Sequence, residues 1–139
     1  MVKITGQKAH KARLKRIRGA AMVREVGKAI FEAGEFLTKE AQISITTGST
    51  SAKGKHVPSA PGTPPNNDSG HLADNIETHR TGDLTAESTS NAEYAAAHEF
   101  GNSRLPARPY MQPAADRTRP EAQAKVVRAV KRVVKGGTL

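Results

Sequence analysis

The chain has 139 residues and carries 22 Lys and Arg against 13 Asp and Glu, a formal net charge of +9. That length suits one domain spanning 1–139 and falls short of two. Aromatics are 4%, and Trp and Cys are absent, so the core must rest on aliphatic side chains, and disulfides and thiolate metal sites are excluded.

Residues 1–18 hold seven basic side chains and no acid. Within this basic arm, residues 7–18 can form a helix with a thin stripe of Ala9, Leu14 and Ile17, broken at Gly19. From Ala20 the pattern strengthens. Ala20, Val23, Gly27, Ile30, Gly34, Leu37 and Ala41 recur at alternating spacings of three and four, and Val26 and Ala33 widen the stripe. Arg24, Glu25, Lys28, Glu32, Glu35 and Lys39 fill the outer face. A helix over 20–46 is expected, about 40 Å long at 1.5 Å per residue. Gly27 and Gly34 each cost such a helix about 1 kcal/mol relative to Ala, which is understandable if another backbone lies against that face.

Residues 48–70 are rich in Pro, Gly, Ser and Asn, and read as an exposed loop carrying His56, Pro58, Pro61, Pro64 and Pro65. Its composition predicts a segment that orders only against a neighbour. Asn75–Arg80 and Leu84–Ser90 flank Thr81-Gly82-Asp83 as a β-hairpin. Asn91 is expected to cap a short helix over 92–100 that stops at Gly101. An extended, Pro-interrupted piece follows over 103–111. The last helix is expected over 120–135, with Pro120 in its first position. Residues 104–139 are again strongly basic, with nine Lys and Arg against Asp116 and Glu121. The fold class expected is therefore α+β: a long N-terminal helix on a small antiparallel sheet or hairpin, a short helix, and a basic C-terminal helix.

Catalytic patterns are missing. Gly48 to Lys55 imitates a phosphate loop, but five residues separate Gly48 from Gly54 and His56 replaces the magnesium-binding hydroxyl. His71, Asp74 and His79 match no zinc spacing, and His98-Glu99 lacks the second His of a zinc protease helix. Glu93 and Glu99 point apart on a helix, and G-x-S-x-G does not occur. Neither enzyme activity nor a metal or cofactor is expected. The two basic ends suit contact with DNA or an acidic surface, or simply two solvated helix faces. With so few rings, base stacking is not expected, whereas non-specific contact with duplex DNA stays open as an alternative. No apolar run approaches the roughly 20 residues that span a bilayer, and the basic N-terminus lacks the apolar stretch of a signal peptide. A soluble protein of a cytoplasm, with no membrane partner, is expected.

The stretch EYAAAHEFGNSRLPARPYMQPA, residues 93–114, resembles the hallmark of a bacteriophage morphogenesis family, the tail-component and head–tail joining proteins of the gene-product-ten type found in lambda-like long-tailed phages. The matching positions are Tyr94, Ala95, Glu99, Gly101, Ser103, Arg104, Pro106, Ala107, Arg108, Pro109, Tyr110, Met111, Pro113 and Ala114. A second block, VPSAPGTPPNNDSGHL at 57–72, is similar to the family's Pro-rich segment. Asn102 and Leu105 stand where Thr and Met are common in the family.

The resemblance implies a virion structural protein that acts in tail completion or head–tail joining. It implies assembly with itself into a ring, sixfold by analogy with other neck and tail proteins, beside neighbouring neck and tail-tube proteins. The expected location is the neck or tail of the virion, with the host cytoplasm as the place of assembly. Glu99, Gly101, Arg104, Arg108, Tyr110 and Met111 are the expected interface residues, with Arg108 and Tyr110 displayed on a stiff segment. The competing reading pairs Arg108 with Glu99 inside one subunit.

Overall fold

The computed structural model describes residues 3–48 and 55–136. The protein is mixed helix and sheet, as expected: α1 (Gln7–Arg18), α2 (Ala20–Thr46), α3 (His71–Asp74), β1 (Ile76–Gly82), β2 (Thr85–Ser90), α4 (Ala95–Phe100) and α5 (Met111–Val134). The parts of the loop at 49–54, and with them most of the Gly48–Lys55 stretch, lie outside the described residues.

α2 is the spine, and it is covered on two sides. On one side α5 runs antiparallel to it. Two ion pairs fix that register, Glu32 with Lys125 at 3.0 Å and Glu40 with Arg117 at 3.9 Å. Eight residues forward along α2 thus match eight residues back along α5. Near the start of α2, Val26 and Ala29 pack with Ala129, joined by Met22, Ile30, Val126 and Val130. Near its end, Ala41 and Ile45 join the second and larger core, with Leu72, Ile76, Ala95, Tyr110 and Ala114.

On the other side of α2 lies the antiparallel hairpin of β1 and β2, paired from Ile76↔Ser90 to Gly82↔Thr85 with an irregularity between Arg80 and Gly82. The glycines of α2 are what let it approach. A Cβ on Gly27 would collide with the carbonyl oxygen of Asp83 in the hairpin turn, and a Cβ on Gly34 would meet the Thr78 methyl at 2.7 Å. Thr38 shares a 2.8 Å hydrogen bond with Thr78, and the Ser88 hydroxyl donates to the Gly34 carbonyl. The expectation of a backbone pressed against these glycines is met at Gly27, whereas at Gly34 it is the side chains of Thr78 and Ser88 that come close.

Several boundaries differ from the sequence reading. β1 runs on to Gly82, so the turn falls at Asp83-Leu84. Asn91 caps no helix: residues 92–94 form a turn and α4 begins only at Ala95. Glu25 is buried rather than outward, held by Arg24 at 3.2 Å. α5 starts at Met111, nine residues before the expected start, and Pro120 sits inside it. Pro120 lacks the N–H for one ladder bond, a loss that ordinarily costs a helix about 3 kcal/mol. The carbonyl left without that donor belongs to Asp116, and Asp116 and Pro120 are both exposed. The described part of the Pro-rich loop is not free-standing. Pro65 is buried and Pro64 half-buried, while His56, Pro58 and Pro61 are exposed.

Candidate functional site

The two blocks that carry the family resemblance meet in space. The Gly62 N–H donates to the Ala107 carbonyl at 2.8 Å, and Arg108 Nε donates to the Ser59 carbonyl at 3.0 Å. The Asn66 amide donates to the Val57 carbonyl and folds the Pro-rich segment back on itself. Between the blocks lies a cleft of about 560 Å³, lined among others by His56, Pro65, His71, Tyr94, His98 and Arg108. Tyr94 stands between two of the histidines, its ring centroid 5.9 Å from His71 and 5.4 Å from His98.

Glu99, at the end of α4, organises the turn into α5. Its carboxylate accepts the backbone N–H groups of Tyr110, Met111 and Gln112 at 2.9, 3.0 and 2.9 Å. Those donors open a helix and have no intrahelical partner. An anion placed there is also favoured by the positive end of the helix dipole. Pro113, next in line, has no N–H to satisfy. Glu99 therefore supplies from a distance the cap that the local sequence of α5 lacks.

The segment between α4 and α5 is closed on itself. Gly101 adopts φ +73°, and a Cβ there would lie 2.7 Å from the Ala107 nitrogen, so the family-like glycine is required by the close return of the chain. The Asn102 N–H donates to the Leu105 carbonyl at 2.8 Å, and the Asn102 side-chain oxygen accepts from the N–H groups of Arg104 and Leu105.

The expected interface residues divide accordingly. Tyr110 is fully buried, with its hydroxyl 2.6 Å from Ser90 Oγ. Arg108 is 9% exposed and clamps the Pro-rich loop. Both are turned into the chain's own body and are not displayed, because the turn closed by Gly101 and Asn102 brings 106–110 back beneath α4. Glu99 and Met111 are half-buried, Gly101 is part of the turn, and Arg104 alone of the six is exposed. The competing reading fails as well: Glu99 is occupied by backbone donors and Arg108 by the Ser59 and Pro106 carbonyls.

The sequence reading passed over Phe100. It is 80% exposed at the end of α4, the largest exposure of any bulky apolar side chain among the described residues. Beside it runs a mostly apolar groove between α2, β2 and α5, lined by Ile30, Leu37, Ala86, Met111 and Ala115. A signal was available. Ala95 faces the core, and a residue five positions on is turned about 140° away from it on a helix.

His98 sits at the base of the cleft, and its pKa is lowered from the usual 6.5, first by burial and then by the positive charge of Arg108 and by His56. Its Nδ1 is enclosed without a hydrogen-bond partner. No group of three His, Asp or Glu side chains among the described residues is arranged to hold a metal ion. His71 lies on α3 and His79 on β1, where it pairs with Glu77 at 3.1 Å. No described helix is long and apolar enough to cross a membrane. What the site offers is mechanical: a clamp that joins a Pro-rich segment to α4 and α5, and an exposed ring at its tip. Comparison of the chain with family models, with curated proteins and with solved structures finds no match.

Proposed function

We propose that the chain is a non-enzymatic structural subunit of a tailed bacteriophage, acting in tail completion or head–tail joining as part of a ring. The observation that carries this reading is the convergence of the two family-like blocks. Residues 57–72 and 93–114 are far apart in the chain, yet they close on each other through Gly62–Ala107 and Ser59–Arg108. That packing supports reading the two blocks as one structural unit.

The exposed surface supports an assembly role. Phe100 projects beside an apolar groove of the same chain, so adjacent copies in a ring can fill one another's grooves. Rings and small apolar pockets of this kind carry most of the energy at protein interfaces.

Deleting the coding sequence from the virus that carries it tests the proposal. Separate full heads and tails, or tails of abnormal ending, are the expected products, restored to infectious particles by the protein supplied in trans. A normal yield of infectious particles from the deletion contradicts it. The rival reading is a small basic protein whose whole task is non-specific DNA binding. That reading predicts a monomer that sheds its nucleic acid only at high salt, and nuclease treatment followed by light scattering separates the two.

A further inference from the structure

The basic ends of the chain, distant in sequence, are brought to one pole. Arg16 of α1 donates from Nη2 to the Val134 carbonyl at the end of α5 at 3.2 Å, and a Cβ on Gly136 would lie 3.6 Å from the Arg16 guanidinium. This contact seats the N-terminal helix beside the last turns of the C-terminal one. It also caps the negative end of α5 with a cation.

We propose that this pole is a binding surface for the sugar–phosphate backbone of duplex DNA, and that α1 and the end of α5 act in it as one unit. Lys8, Lys11, Lys15 and Arg18 recur at spacings of three and four, which places them within an arc of about 80° on α1. All four are exposed. Lys131 and Lys135 continue the charge on α5 and are exposed too. Among the described residues none of the six has a carboxylate partner. Glu25, Glu121 and Glu32 pair instead with Arg24, Arg128 and Lys125.

Solubility alone does not account for the stripe. Like charges at i,i+3 and i,i+4 weaken a helix, and α1 has no acid to offset them and no buried residue to compensate. An external polyanion removes that repulsion. The partner is duplex backbone because α1 is a cationic rod without Phe, Tyr or Trp, and its one ring, the His10 imidazole, makes no stacking platform for successive bases.

Anisotropy of a labelled 30-base-pair duplex, titrated with the full chain at several salt concentrations, tests this. The wild type is expected to show the same affinity for different sequences and a steep loss with salt, with a log–log slope of about −4 to −6 for about five or six phosphate contacts. The triple variant K8Q/K11Q/K15Q reduces that slope by about 2 to 3 and weakens binding at least tenfold at about 0.1 M salt. K131Q/K135Q, on the other helix, weakens binding about three- to tenfold. The charge-matched pair K39Q/K55Q, away from the pole, stays within about twofold of wild type, and K8R/K11R/K15R retains binding. Circular dichroism on each variant verifies that the helices persist. Equal weakening by K39Q/K55Q and K131Q/K135Q overturns the proposal, since total charge would then explain the binding. So does binding to poly-glutamate or to phosphatidylglycerol vesicles in the absence of binding to duplex DNA.

Discussion

Glu99 and Gln112 lie thirteen residues apart, and the Gln112 N–H donates to the Glu99 carboxylate at 2.9 Å. With the Tyr110 and Met111 donors on the same side chain, this makes Glu99 the start of α5, although it belongs to α4. The Glu99→Gln variant keeps the shape but loses one acceptor oxygen and the charge. It is expected to lose about 1–2 kcal/mol, as other capping changes do. For a domain of this size the melting temperature falls by about 3–8 °C. An unchanged melting temperature means that α5 is capped in some other way.

The same residue shows what a sequence conceals. α2 was legible because its apolar pattern repeats over seven turns, and its glycines announced a close neighbour. The true start of α5 was not, because its cap comes from Glu99 in another element and Pro120 imitates a helix start. Glu99 and Arg108 stood out as residues of consequence, but their partners did not. Arg108 reaches the Ser59 carbonyl 49 positions away, and no local pattern encodes a side-chain bond to a distant backbone oxygen. The inward turn of Tyr110 depends on the same closure of the chain at Gly101. The outward turn of Phe100 was readable from helix geometry alone, once Ala95 is recognised as the buried position.

Gly27 sets local preference against packing. Alanine is the better helix former by about 1 kcal/mol, so propensity alone makes Gly27→Ala stabilising. The added methyl group collides with the Asp83 carbonyl, a backbone atom of a tight turn that cannot swing aside. The expected net result is a loss of about 1–3 kcal/mol. Lys28→Ala, exposed on the next position, serves as the control with little change. A stabilised Gly27→Ala protein in urea unfolding shows that the hairpin does not rest on α2.

His98 gives the protein a pH dependence of definite sign. Its pKa is lowered in the folded state by burial, by Arg108 and by His56, so below the usual 6.5 the unfolded chain takes up the proton more readily. Stability from this group is fully present above about pH 6.5, and is lost as the pH falls through the depressed value. The groups that share the cleft are His56, His71, Tyr94, Asp68 and Arg108. The melting temperature should therefore drop between pH 7.5 and 5.5, and drop less in His98→Gln. The same drop in both proteins assigns the effect to other groups.

The proposed function divides the labour between a clamp that shapes the chain, Arg108, and an exposed tip proposed to meet other subunits, Phe100. Arg108→Ala removes the clamp and is expected to lower the melting temperature by several degrees, with loss of about 2 kcal/mol from a buried charged hydrogen bond. Phe100→Ser removes an exposed ring, so the isolated fold should be unaffected. The decisive measurement is complementation of a deletion virus by Phe100→Ser, with thermal unfolding recorded on the same preparation. The account predicts a wild-type melting temperature together with a loss of joined, infectious particles. Normal plaque formation by a folded Phe100→Ser protein contradicts it.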